Sequence, residues 1–204
     1  MIYLPLAYAA PVAYYYCLVN YDCEVEILAN YHKQTYANRC YISTSQGVLS
    51  LTVPIEKSDG KCLLKDTKID NKTDWQTLHW RALQSAYNST PFFEFYADFL
   101  VKLYEKKAVF LLDFNLNLQN EILNLLNYQN FNCSLSNSYK KVLQKNDFDL
   151  RKMFDCKKNF VNLPFNLKAE YYQVFSQKYG FVENLSIFDL LFNLGNESRL
   201  YLKK

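Results

Sequence analysis

The chain has 204 residues, half of them apolar and 17% aromatic, and its net charge of +3 comes from nearly balanced signs. This is material for one core, so the sequence predicts a single domain over residues 1–204. Balanced charge without like-charged runs excludes a nucleic-acid or acidic-membrane binder driven by electrostatics.

Met1 to Val19 carry no charge. The stretch lacks a basic leader, Pro5 and Pro11 interrupt it, and five tyrosines make it too polar for a signal core. It is also short for a membrane span. It reads as a buried strand over residues 1–7, then a helix that Pro11 opens and that ends near Tyr21. Glu24 to Ala29 reads as a second strand.

A polar knot follows, Tyr31-His32-Lys33-Gln34-Thr35-Tyr36-Ala37-Asn38-Arg39. Two cations, a histidine and two amides between strands make either a solvated loop or the lip of a site. Arg39 to Thr44 and Val48 to Ile55 alternate with period two and read as a hairpin. Gly47 stands where its turn needs positive φ. Leu64 to Asp70 reads as a short strand.

Helices dominate the rest. Thr73-x-x-Gln76 reads as a capping box opening a helix through Tyr87. Pro91 opens another to about Glu105, and Asp113 caps a third through Leu126. Asn130 to Leu135 reads as a strand and Asp149 to Cys156 as a helix within the otherwise unreadable span 136–170. Tyr171 to Phe175 alternates like an edge strand. Ser186-x-x-Asp189 is a second capping box, for a helix with Ile187, Leu190, Leu191 and Leu194 on one face and Gly195 at its end. The fold class expected is α/β, a mixed sheet flanked by helices with a helix-rich second half.

The six cysteines are spread without Cys-x-x-Cys pairs or zinc spacing, which predicts free thiols in a reducing cytoplasm and no metal. Neither a Gly-rich phosphate loop nor a G-x-S-x-G elbow occurs, and no cofactor is indicated. His79 falls in an apolar helical stripe with Trp75, Leu78, Ala82, Leu83 and Ala86. It is either a core histidine satisfied by a carbonyl or a general acid or base. Asp70, after a strand and before that helix, is placed to orient it. Lys33 and Arg39 suit a phosphate or carboxylate.

These segments, in order, resemble the WbqC-like protein family. Tyr3-Leu4-Pro5 with Tyr14-Tyr15-Tyr16 is similar to its opening element, and Lys33-Gln34-Thr35-Tyr36-Ala37-Asn38-Arg39-Cys40 to its K-Q-x-Y-x-N-R-C segment. Leu51-Thr52-Val53-Pro54 is similar to its L-[TS]-[VI]-P strand. Ile69-Asp70 with Trp75, His79, Trp80, Leu83, Tyr87, Pro91, Phe92 and Phe93 follows its central block. Residues 184–195 follow its N-L-S-[IL]-x-D-L-L-F-N-x-G block. Without a histidine before Tyr3 or a Gly-rich segment in 136–170, the chain resembles the shorter form.

The resemblance implies bacterial surface-polysaccharide (O-antigen-type) biosynthesis, with an aminoacyl (glycine-like) or other group transferred to a nucleotide-linked sugar. In that expectation His79 is the base and Asp70 its orienter. Lys33, Gln34, Tyr36, Asn38 and Arg39 hold the substrate, and Trp80 and Tyr87 stack on it. The partner is a nucleotide sugar or saccharide, not nucleic acid or a membrane. A non-catalytic sugar-binding module and an oligomeric scaffold, its aromatic excess forming a homo-oligomer interface, are the alternatives.

Overall fold

The structure is a computed structural model in which residues 1–129, 131–154 and 170–204 are described. β1 (Ile2–Pro5), α1 (Val12–Asn20) and β2 (Cys23–Glu26) form a strand–helix–strand unit with β1 and β2 parallel, Ile2 opposite Cys23 and Pro5 opposite Glu26. β5 (Cys133–Leu135) pairs with β2 and β6 (Phe148–Asp149) with β1, both parallel, giving the order β5-β2-β1-β6. Parallel strands are covered on both faces and read as apolar runs. Ile2, Leu4, Cys23 and Val25 are accordingly buried. Glu24 and Glu26 are buried too, and each meets a cation, Lys140 at 2.9 Å and Arg151 at 3.4 Å.

The uncharged opening is therefore core. Helix α1 is apolar all round, as a fully surrounded helix must be, and Tyr14, Tyr15 and Tyr16 are all buried. No helix among the described residues is long and apolar enough to cross a membrane.

β3 (Arg39–Thr44) and β4 (Gly47–Thr52) form the expected hairpin, with Gly47 at φ +105°. The α/β class and the helix-rich second half match the expectation, and the antiparallel pair stands as a two-stranded sheet of its own. Burial alternates only at its base: Leu51 and Val53 are inside, while Leu49 is exposed. Leu64 to Asp70 is not a strand. It is one 3-10 turn, Leu64–Asp66, followed by single bridges of Lys68 to Phe110 and Ile69 to Ile55. The Thr67 hydroxyl bonds the Leu63 carbonyl at 2.9 Å and so competes with extended pairing.

α2 (Trp75–Tyr87), α3 (Phe93–Glu105) and α4 (Leu111–Leu125) pack in sequence order, α3 between the other two. The Thr73 box does not form. Asp74 is the N-cap, and buried Gln76 instead gives its amide to the Lys106 carbonyl. Nor is Asp113 a cap: Phe110 holds that position, and Asp113 lies in the first turn, where a carboxylate suits the helix dipole. The buried stripe of α2 is rotated from the expected one. Leu78 is exposed, and Gln76 and Tyr87 join Trp75, His79, Leu83 and Ala86 inside.

Residues 171–175 form no strand, and α5 (Ser176–Tyr179) follows them. Asp149 is the end of β6 and residues 150–154 are not helical; residues 155 and 156 of the helix expected over 149–156 lie outside the described residues. The helices α6 (Ile187–Leu194) and α7 (Glu197–Leu202) close the fold. Ser186 caps α6, accepting from the Phe188 amide and donating to the Ala9 carbonyl at 2.8 Å. Asp189 does not cap. Its carboxylate accepts from the Tyr87 and Tyr171 hydroxyls at 3.0 and 2.8 Å. Gly195 has φ +55°, and a Cβ there would stand 2.5 Å from the Phe92 ring, so only glycine fits that end. Ser186→Ala is expected to cost about 1–2 kcal/mol, since it removes a cap and orphans a buried carbonyl. The denaturant midpoint should fall at unchanged slope.

Cys17, Cys23, Cys62 and Cys133 are free thiols, Cys40 is buried, and Cys156 lies outside the described residues.

Candidate functional site

The polar knot is tied down. At the end of β2, Glu26 Oε1 accepts from the Leu28 and Ala29 amides, turning the chain. The Tyr31 amide bonds the Cys62 carbonyl and Leu64 returns to that of Ala29, which fixes the knot against residues 62–64. Gln34 takes φ +60°, and the Thr35 hydroxyl holds the His32 carbonyl at 3.0 Å. The Tyr36 carbonyl accepts from the Tyr8 amide and that of Ala37 from the Asn115 side chain. Asn38 is bonded both ways to Val53, through its own carbonyl and its Nδ2, each at 2.8 Å. A polar segment so constrained presents side chains in fixed places.

Two cavities adjoin it. The larger, about 1010 Å³, lies between the knot, the end of β4 and the loop to Cys62. Lys33, Arg39, Lys57 and Lys61 line it against one carboxylate, Glu56. Arg39 is braced by its Nε bond to the Thr52 hydroxyl at 2.9 Å. Asn38, 4% exposed, lines it as well, and its Oδ1 has no hydrogen-bond partner among the described residues. A buried orphan acceptor on a cavity wall is what a ligand or water donor would satisfy. The smaller cavity, about 230 Å³, shares Asn30 and His32 with it.

Of the residues named from sequence, Lys33, Gln34, Asn38 and Arg39 come together around the larger cavity, and Tyr36 lines the smaller. Four others lie elsewhere. His79 is buried behind β4, lining neither cavity. Its Nδ1 meets the Tyr8 hydroxyl at 2.9 Å, Tyr8 meets Tyr104 at 2.8 Å, and the ring also bonds the Thr52 backbone. A carbonyl only accepts, so the ring's hydrogen points to Thr52 and Nδ1 accepts from Tyr8. Burial pushes this imidazole down to about 4, partly opposed by the Thr52 bond, which leaves it neutral at pH 7. Asp70 accepts from the Lys72 amide and donates its own amide to Pro54. Trp80 is half-buried and stacked on Phe93. Tyr87 is fully buried, its hydroxyl on Asp189.

His32, which was not among the residues expected to hold the substrate, lines both cavities, and its membership of the knot is the signal that could have found it.

The model of the WbqC-like protein family matches residues 13–162. The chain belongs to that family. A curated relative, the uncharacterized protein Rv1507c of Mycobacterium tuberculosis (strain ATCC 25618 / H37Rv), is 30% identical over 201 residues, covering 85% of this chain and 84% of its own. No solved structure matches. The WbqC-like match takes in the knot, the hairpin and α2 to α4, and with them the whole lining of the larger cavity.

Proposed function

We propose that this WbqC-like protein is an enzyme of bacterial surface-polysaccharide assembly that binds a nucleotide-linked sugar in the larger cavity for group transfer to that sugar. The observation that carries this reading is the cavity's lining, four lysine and arginine side chains against one glutamate around about 1010 Å³. That charge suits a diphosphate, with Arg39 as the planar fork and Lys33 as a point charge. The volume is at the upper end for small-molecule sites, so a nucleotide fits. In this reading Gln34 joins the polar lining, and Asp70 supports the wall through its amide bond to the Pro54 carbonyl.

Binding without turnover is favoured by one observation, the placement of His79 outside both linings. Calorimetric titration with UDP, dTDP and GDP and their glucose derivatives tests the binding. Mass spectrometry of the sugar nucleotide after incubation with activated acyl donors tests transfer. Arg39→Ala is expected to weaken nucleotide binding about 10- to 100-fold, the range for a lost charged hydrogen bond. Binding should also weaken with added salt. Failure of every nucleotide to bind at millimolar concentration, or indifference to Arg39→Ala, overturns the reading.

A further inference from the structure

The smaller cavity opens at the carboxyl ends of the parallel strands. Leu6 follows β1, Glu26 ends β2, Tyr139 follows β5 and Arg151 follows β6. Strand order reverses at β1, with β2 and β5 on one side and β6 on the other. Open α/β sheets take ligands at such a reversal, outside the carboxyl ends.

Its chemistry differs from that of its neighbour. Arg151 is clamped by Asp149 through Nε at 2.8 Å and Nη2 at 2.7 Å, and it also meets Glu26. Glu26 in turn accepts from the Ser136 hydroxyl at 3.0 Å. With Lys152, which also lines this cavity and acts on Asp149, two cations face the two carboxylates Glu26 and Asp149, so the charges balance, whereas the larger cavity keeps a cationic excess. A neutral wall of fixed polar groups, with the rings of Tyr36 and Tyr139, suits an uncharged polyol better than a phosphate. About 230 Å³ lies below the usual range for drug-sized ligands, so one compact ring is the scale.

We infer that the two cavities hold one nucleotide-linked sugar end to end, the diphosphate in the cationic cavity and the sugar ring in the neutral one. Asn30 and His32, which line both, flank the linkage between the two halves. This rests on the proposed function and adds which half of the ligand sits where. It also makes His32 the imidazole nearest the sugar.

The test titrates the full chain and its Tyr139→Ala and His32→Ala variants with UDP and with UDP-glucose and UDP-N-acetylglucosamine, folding being checked by circular dichroism. Tyr139 is an exposed residue, so its truncation leaves the core intact. The wild-type protein should bind at least one sugar nucleotide about tenfold or more tightly than UDP. Tyr139→Ala should erase that margin while leaving UDP affinity within about twofold, and His32→Ala should weaken the sugar nucleotide more than UDP. Equal wild-type affinity for UDP and both sugar nucleotides, or an intact margin in folded Tyr139→Ala, overturns the placement and spares the nucleotide reading. If UDP, dTDP, GDP and their sugar derivatives all fail to bind, both fall.

Discussion

Asp189→Ala is expected to be among the most damaging single changes outside the cavities, lowering stability by about 4 kcal/mol. The carboxylate is 0% exposed and receives two buried hydroxyls, from Tyr87 and Tyr171. Tyr87 also accepts the Ser43 amide of the hairpin, and Tyr171 accepts from Gln173. One residue therefore ties α6 to α2, the hairpin and the chain before α5. Truncating it orphans two hydroxyls, each costing about 1–3 kcal/mol, and leaves a void. For a chain of this size the melting temperature should fall by about 8–16 °C. Asp189→Asn, which keeps an acceptor and adds a donor, should lose clearly less. A fall under about 2 °C in Asp189→Ala would mean the network does not hold α6 in place.

The second large effect is in pH dependence, where two buried groups oppose each other. Burial raises the Asp189 carboxyl to about 6, against hydrogen bonds from Tyr171, Tyr87 and Gln173. The folded state then keeps a proton that the unfolded chain releases nearer 4, so this group's contribution falls as pH rises from about 4 to 6. His79 does the reverse. Its folded value of about 4 lies below the ordinary 6.5, so the unfolded chain binds the extra proton and stability rises from pH 4 to 6.5. Each amounts to roughly 3 kcal/mol across its window, and in the wild type they largely cancel. Relative to wild type, Asp189→Asn should make melting temperature climb more steeply with pH over 4–6.5. His79→Gln should make it climb less, or fall. The Arg151 guanidinium holds Asp149 below the usual carboxylate range, which adds a common acid loss to all three proteins, so the differences are what is read. Parallel pH profiles in all three would contradict the burial of these groups.

What the sequence revealed of this fold follows from where local chemistry and tertiary packing agree. Strands β1 and β2, the hairpin and helices α1 to α4 and α6 were legible because their apolar patterns are long and their breaks are proline, glycine or polar runs. Misreadings came where a side chain found a distant partner. Gln76 left its capping box for Lys106, and Asp189 left its own for two tyrosines. Thr67 bent a strand-like stretch into a turn. The knot was legible as a candidate lip because its polarity had no local explanation. His79 was harder: a linear stripe does not say which side of α2 faces a cavity, and the real stripe is rotated. The smaller cavity left no linear trace, because its walls come from residues as far apart as Leu6, Tyr36 and Arg151.

The cover of α1 bears on how the protein is made. Helices α6 and α7 pack against it, and Ser186 closes over Ala9 from 177 positions away. At about 5–20 residues per second, synthesis leaves the tyrosine-rich helix waiting about 10–35 s for that cover. A chain stalled or cut before Ser186 keeps this apolar surface open. Ribosome-bound intermediates should therefore engage general chaperones.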